Sequence, residues 1–272
     1  SSDLAQGLSS TLGQQVIVDN RVGGVIIADI AAKAAPDGYT LFTYSSTLWL
    51  IPLMRTSTPY DPVRDFAPVT LVAAGPNIVV VNPAVAAKSI KELITLGRSG
   101  TKIDYGTSGA GSISHLAAEM FKNMTGAEML HVPYKGAAPA TIDLIAGNVQ
   151  VMFAGLAPAV PQIKAGKIRA LAVAGTKRSL VLPDAPSLAE TLKGYDGSTW
   201  FAIFAPAGTP NDIIDRHASE LAKIMARKDV IDQLLQQGYE PWVMGPKELG
   251  AYVKEQIAKW AKVIKVAGIK GE

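Results

Sequence analysis

The chain has 272 residues, of which 48% are hydrophobic and 18% charged, with 26 basic and 23 acidic side chains and no cysteine. That length suits one large α/β unit or two lobes of roughly 100 to 150 residues; the composition excludes a disordered chain, and no apolar run reaches the roughly 18 residues of a membrane span. A formal charge of +3 with no block of like charge argues against nucleic acid, and the absence of cysteine removes disulfides, thiol nucleophiles and thiolate-bound metals.

The first stretch, SSDLAQGLSSTLG, carries no basic segment leading into an apolar one, so it does not have the pattern of a secretory signal. Residues 3 to 12 predict a helix closed by Gly13, and QVIVD at 15 to 19 predicts a short strand. A second helix over 25 to 35 is stopped by PDGY, and TLFTY at 40 to 44 reads as the next strand. NIVVV at 77 to 81 is a strand, and Ser89 with Glu92 forms a capping box that opens a helix through Leu96. KIDYG at 102 to 106 and EMLHV at 128 to 132 are strands flanking a helix over 112 to 124; VQVMFA and IRALAVA bracket another helix at 159 to 165. This alternation predicts α/β architecture with parallel sheets. Beyond TWFAIFAP the texture turns mostly helical, with Thr209 and Pro210 as N-cap and first residue of one helix and Gly245-Pro246 opening another.

One segment carries chemistry. In YGTSGAGSISHLAAE, at 105 to 119, a strand end runs through Gly109 and Gly111 into a helix. Such a unit offers free backbone N–H groups and the positive end of a helix dipole, which suits a phosphate or carboxylate. The glycine pattern of a dinucleotide site is incomplete, since Ser114 occupies the third glycine position, and no GK[ST] follows for a P-loop. A small-anion seat, a ligand-free turn and a dinucleotide site remain the alternatives.

Catalytic machinery is not visible. The three histidines, His115, His131 and His217, have no metal-binding spacing; His131 reads as core and His217 as surface, while His115 sits one turn into the helix after the glycines. No G-x-S-x-G elbow occurs.

Seven segments in register, among them AAKAAPDGYTL at 31 to 41, YGTSGAGSISHLAAEMF at 105 to 121 and HVPYKGAAPATIDLIAG at 131 to 147, make the chain resemble the substrate-binding proteins of tripartite tricarboxylate transporters, the TctC or Bug family. The resemblance implies a two-lobed periplasmic binding protein of type II-like fold, with two α/β domains joined by crossover strands around a cleft. It places the first lobe at 1–80 plus 203–272 and the second at 81–202. It implies a monomer without cofactor that captures a small carboxylate, whether a di- or tricarboxylate or an aromatic acid, and hands it to the transporter's membrane components without covalent chemistry.

Carried over position by position, the implied ligand-binding residues are Thr107, Ser108, Gly109, Ala110, Gly111, Ser112 and His115 of the second lobe, with the loop amides as principal donors, and Ser45, Ser46 and Thr47 of the first. Ser1, Ser2 and Asp3 match the S/T-D pair that follows a strand and a glycine-rich segment in the family, and the turn after Asn20-Arg21 is shorter by about two residues than in its relatives. Ala154 takes the position of an acidic or polar residue in many relatives, which favours a plain carboxylate over an amino acid. Trp49, Trp200 and Phe201 could stack on an aromatic acid, and Lys135 or Arg55 could face a carboxylate. An α/β enzyme acting on a phosphate-bearing substrate or nucleotide, and a carboxylate sensor of the same fold, stay open as other readings.

Overall fold

A computed structural model of the chain describes residues 2–21 and 24–269. Two sheets organise it. The first is four-stranded and contains β1 (Phe42–Ser45), β2 (Phe66–Gly75), β8 (Thr199–Pro206) and β9 (Glu240–Met244) in the order β1-β8-β2-β9. The second is five-stranded, with β3 (Asn77–Val81), β4 (Asp104–Thr107), β5 (Leu130–Pro133), β6 (Val151–Gly155) and β7 (Arg169–Val173) in the order β5-β4-β6-β3-β7. Helices α1 (Ser2–Leu12), α2 (Gly24–Ala32), α3 (Thr47–Met54), α8 (Asn211–Met225), α9 (Lys228–Gln236) and α10 (Pro246–Ala267) belong with the first sheet. α4 (Ile90–Arg98), α5 (Ile113–Thr125), α6 (Ala137–Ala146) and α7 (Leu156–Lys164) surround the second.

The chain passes between the sheets at Gly75-Pro76-Asn77 and returns just before Thr199. The lobe limits expected at 80/81 and 202/203 therefore fall inside β3 and β8. Because β2 carries the chain out of the first lobe and β8 carries it back, the two must run antiparallel, and all pairings of the first sheet are antiparallel. Among the strands of the described residues, the expected parallel pairing joins β4 to its neighbours β5 and β6, whose intervening helices make the crossovers that parallel strands require. β3 pairs antiparallel with both β6 and β7 and is buried along its whole length, as its uninterrupted apolar sequence demands.

Three other expectations change. QVIVD joins neither sheet: no described strand lies beside it, Ile17 is 79% exposed, and only Val16 is anchored, its N–H donating to Ser9 Oγ and its side chain packing with Leu8. A strand without a partner leaves its backbone to water, and propensity alone does not hold it. The stretch after β1 is a helix, not a loop. Its sequence, TLWLIPLM, is too uniformly apolar to show a helical period, and Pro52 removes one internal donor. The Leu48 carbonyl that this N–H would have met accepts a hydrogen bond from Tyr60 Oη at 2.9 Å instead. Finally, α8 starts at Asn211 with Pro210 as its N-cap, and His217 is buried, not superficial: its Nε2 lies 3.0 Å from the Gly38 carbonyl, where the loop after α2 folds over the helix.

The main core spans both lobes. Trp49 of α3 stacks on Trp200 of β8 with centroids 4.1 Å apart, both rings essentially fully buried. Trp260 and Ile264 of α10 join the same core as Leu116 and Phe121 of α5, so α10 ties the C-terminal helices of the first lobe to the second.

Candidate functional site

The parallel part of the second sheet determines where the site lies. β4, β5 and β6 each lead into a helix, α5, α6 and α7, and the first residues of all three helices line one cavity of about 240 Å³: Ile113 and Ser114, Ala137, and Leu156 and Ala157. Ligands of open α/β sheets bind at this carboxyl end of parallel strands. Three helix N-termini give the cavity a positive field, each contributing about 0.3 to 1 kcal/mol toward an anion. Gly75, Asn77 and Thr199 of the crossover and Phe201 and Tyr239 of the first lobe close the other side; no charged side chain lines the cavity among the described residues.

The glycine loop is built from its own hydrogen bonds. Ser112 caps α5, its Oγ accepting from the His115 N–H and donating to the Gly109 carbonyl at 2.6 Å. The Ser108 N–H donates to Ser114 Oγ, the Gly109 N–H to Thr107 Oγ1, and the Gly111 N–H to His115 Nδ1 at 3.1 Å. Gly109 has φ +142° and Gly111 φ +72°, both in the region open to glycine. Four of the loop amides expected to meet a ligand, those of Ser108, Gly109, Gly111 and Ser112, are thus spent within the protein, Ser112 donating to the Gly109 carbonyl. Among the described residues Ala110, Ile113 and Ser114 keep N–H groups without an intramolecular acceptor.

Behind the loop lies a buried aromatic and ionic stack. The rings of His115 and His131 are 3.8 Å apart and nearly parallel, and Tyr105, register partner of His131, stacks on the other side at 5.1 Å. His131 Nε2 is 2.7 Å from Thr107 Oγ1. Tyr105 Oη donates to Glu119 Oε1 at 2.5 Å, and Glu119 accepts from Lys122 at 2.6 Å. Burial first, and then the proximity of His131, push His115 down from 6.5 to about 4; burial also lowers His131, and burial followed by the bond to Glu119 raises Tyr105. Both shifts favour the neutral imidazole.

The expected site residues divide accordingly. Ser108 lines the cavity; Thr107 and His115 stand behind it, buried. Ser45, Ser46 and Thr47 lie at the end of β1 that faces the crossover, with Ser45 opposite Phe201, but outside the cavity lining; Ser45 Oγ bonds Thr47 Oγ1 at 2.7 Å and the Ser46 N–H bonds the Trp200 carbonyl. Ala154 lies outside the cavity lining, in the buried cluster that holds Ile78 and Ala159, while its neighbours Phe153 and Gly155 reach the cavity. Asp3 lines a separate groove with Arg227 and Gln233 of the α9 region. Ser1 lies outside the described residues. Trp49 and Trp200 are core, Phe201 lines the cavity edge-on to Tyr239, and Lys135 and Arg55 are exposed outside it. The helix starts at Ala137 and Leu156, and Tyr239, were not among the expected residues; Gly136 and Gly155, each the cap of a helix following a strand, were the signals available.

A model of the tripartite tricarboxylate transporter family receptor (TctC) matches residues 2–269. The chain belongs to that family. As a TctC receptor it is 36% identical over 280 residues to the protein BugT of Bordetella pertussis, covering 98% of this chain and 84% of BugT. Two solved TctC-like structures carry ligands. Rpa4515 of R. palustris, solved with adipate, is 36% identical with a TM-score of 0.80, covering 98% of this chain and 91% of that one. MatC (Rpa3494) of Rhodopseudomonas palustris, with bound malate, is 28% identical with a TM-score of 0.75, covering 97% and 92%. The TctC chain thus has the two-lobed fold of periplasmic binding proteins, and no helix among its described residues is long and apolar enough to cross a membrane.

Proposed function

We propose that this receptor captures a small carboxylate in the periplasm, in the cleft between its lobes, and presents the closed form to the membrane components of its transporter as a monomer, with no covalent step. The observation that carries the reading is the convergence of α5, α6 and α7 on one cavity that no charged side chain lines among the described residues. Neutral donors and helix dipoles hold an anion without the long, flexible cations whose ordering would cost side-chain entropy. The unspent N–H groups of Ile113 and Ser114, both in the cavity lining, are the donors assigned to the carboxylate, with Ser108 as hydroxyl partner. Phe201, Tyr239 and Met152 supply an apolar wall for the carbon chain. Adipate in Rpa4515 and malate in MatC, both dicarboxylates, support this ligand class.

The two lobes are taken to divide at Pro76 and near Ser198, where the chain crosses between sheets, so that closure turns about two short strands. Ligand favours the closed form only through contacts made from both sides.

A thermal-shift screen tests this with adipate and malate, the corresponding diamides, and nucleotides. A ligand at 1,000 times its dissociation constant adds about 4 kcal/mol, a shift of about 10 °C for a chain of this size. The acids are expected to raise the melting temperature and the amides to leave it unchanged. A response to nucleotides alone would replace the receptor reading with an enzyme acting on a phosphate-bearing substrate.

A further inference from the structure

The two histidines behind the loop have no part in the ligand contacts just proposed, yet each holds one of the loop's two positive-φ glycines. His115 Nδ1 accepts the Gly111 N–H at 3.1 Å. His131 Nε2 meets Thr107 Oγ1 at 2.7 Å, and that same oxygen accepts the Gly109 N–H and lies 3.2 Å from the Gly109 carbonyl. Gly109 and Gly111 are therefore fixed from one stacked pair of rings, directly in one case and through a hydroxyl in the other. Between them sits Ala110, whose N–H is among the free donors.

From this geometry we infer that His115, braced by His131, is a positioning residue: its neutral ring sets the backbone of the anion loop by accepting the Gly111 N–H, and a proton on Nδ1 would undo that loop. The inference deepens the proposed carboxylate reading and rests on it for its consequence in binding. An imidazolium has no acceptor, so two N–H donors would face each other across 3.1 Å. The intuitive alternative is that a histidine beside an anion site is there to be charged and attract the ligand. The geometry opposes it, because Nδ1 is already committed as an acceptor.

The charged neighbours do not rescue the cation. On α5 itself Glu119 favours it, but that carboxylate is already bonded by Lys122 and Tyr105 of β4. β5 contributes His131, whose ring, stacked 3.8 Å away, disfavours a proton on His115. α3 reaches the loop with the uncharged sulfur of Met54, 3.1 Å from where a Cβ on Gly111 would stand. Where α10 packs on α5, Lys259 is engaged with Asp196. Burial and the second imidazole together hold His115 neutral down to about pH 4.

The experiment compares wild type with His115→Asn and His115→Leu, reading adipate affinity by calorimetry at pH 7 and the Gly111 amide by NMR without ligand. Asparagine places an oxygen acceptor near the position of Nδ1 and does not titrate; leucine fills the space and accepts nothing. The expected result is adipate affinity within about threefold of wild type for His115→Asn, and weaker by about tenfold or more for His115→Leu, the equivalent of one lost hydrogen bond. The Gly111 amide resonance should move on acidification in wild type and stay flat in His115→Asn. Equal affinity in the two variants, a Gly111 resonance indifferent to pH, or tighter adipate binding by wild type in acid would overturn the inference. If neither variant folds, the wild-type titration of Gly111 together with the nitrogen shifts of the His115 ring still decides it. If no carboxylate binds wild type at all, the proposed function falls, while the ligand-free Gly111 titration continues to judge the positioning role separately.

Discussion

Gly109 shows why one position of the loop tolerates no side chain. At Gly109 an added Cβ would find 3.4 Å of room beside the Tyr134 carbonyl, so space alone does not forbid it. The backbone does: φ +142° is a conformation that L-residues avoid. Replacing Gly109 by Val should cost roughly 1 to 3 kcal/mol of strain or force the loop to rearrange. The predicted outcome is a folded protein with adipate affinity weaker by more than about tenfold, checked by calorimetry beside a circular-dichroism melt. Unchanged affinity would remove the loop from the binding site. Glycine richness made this loop visible in the sequence, but which amides are free was not, because Thr107, Ser114 and His115 take up three of them through contacts that depend on the fold.

Among elements, α7 of the second lobe and the turn after α9 of the first approach each other closely beside the cavity. Gly238, with φ +73°, is so near the first turn of α7 that a Cβ built on it would stand 2.3 Å from Ala157 Cβ and 2.7 Å from Ala157 Cα. No rotamer relieves a clash with backbone. Replacing Gly238 by Ala should therefore wedge the lobes apart, and small-angle scattering should give a larger radius of gyration, with adipate affinity reduced about tenfold or more. A variant that scatters like wild type and binds normally would show that this contact plays no part in closure. The apolar and polar periods of α8 and α10 were readable as helices because each buries one stripe, whereas α5, buried on every side from Ser114 to Phe121, was marked by its Ser112 cap and Gly126 stop. α3 was not readable, since every residue from Leu48 to Met54 is apolar and its Pro52 argues against a helix until Tyr60 is seen filling the gap at Leu48.

For the whole molecule, the depressed His115 links folding to pH. The unfolded chain takes up this proton near pH 6.5, whereas the folded chain resists it until about pH 4. Between those values the unfolded state binds more protons, so stability falls as the pH drops through the window and the contribution levels off below it. The loss is at most about 3 kcal/mol. Urea midpoints at pH 7 and pH 4.5 should therefore fall further for wild type than for His115→Asn. Parallel losses in both proteins would mean that His115 is not the group responsible.

The sequence by itself determined the α/β alternation, most element positions, the strand-glycine loop-helix unit at 105 to 124 and, through seven segments in register, the receptor family. These depend on local periodicity, caps and glycines, which act over a few residues. Tertiary structure alone decided that QVIVD remains unpaired, that α3 is helical, that Ala154 lies outside the cavity lining, and that the starts of α5, α6 and α7 converge on one cavity. Pairing, facing and convergence depend on which distant segments lie alongside, and here Thr107 meets His131, Ser45 meets Phe201 and Gly238 meets Ala157 only after the chain has crossed twice between its two sheets.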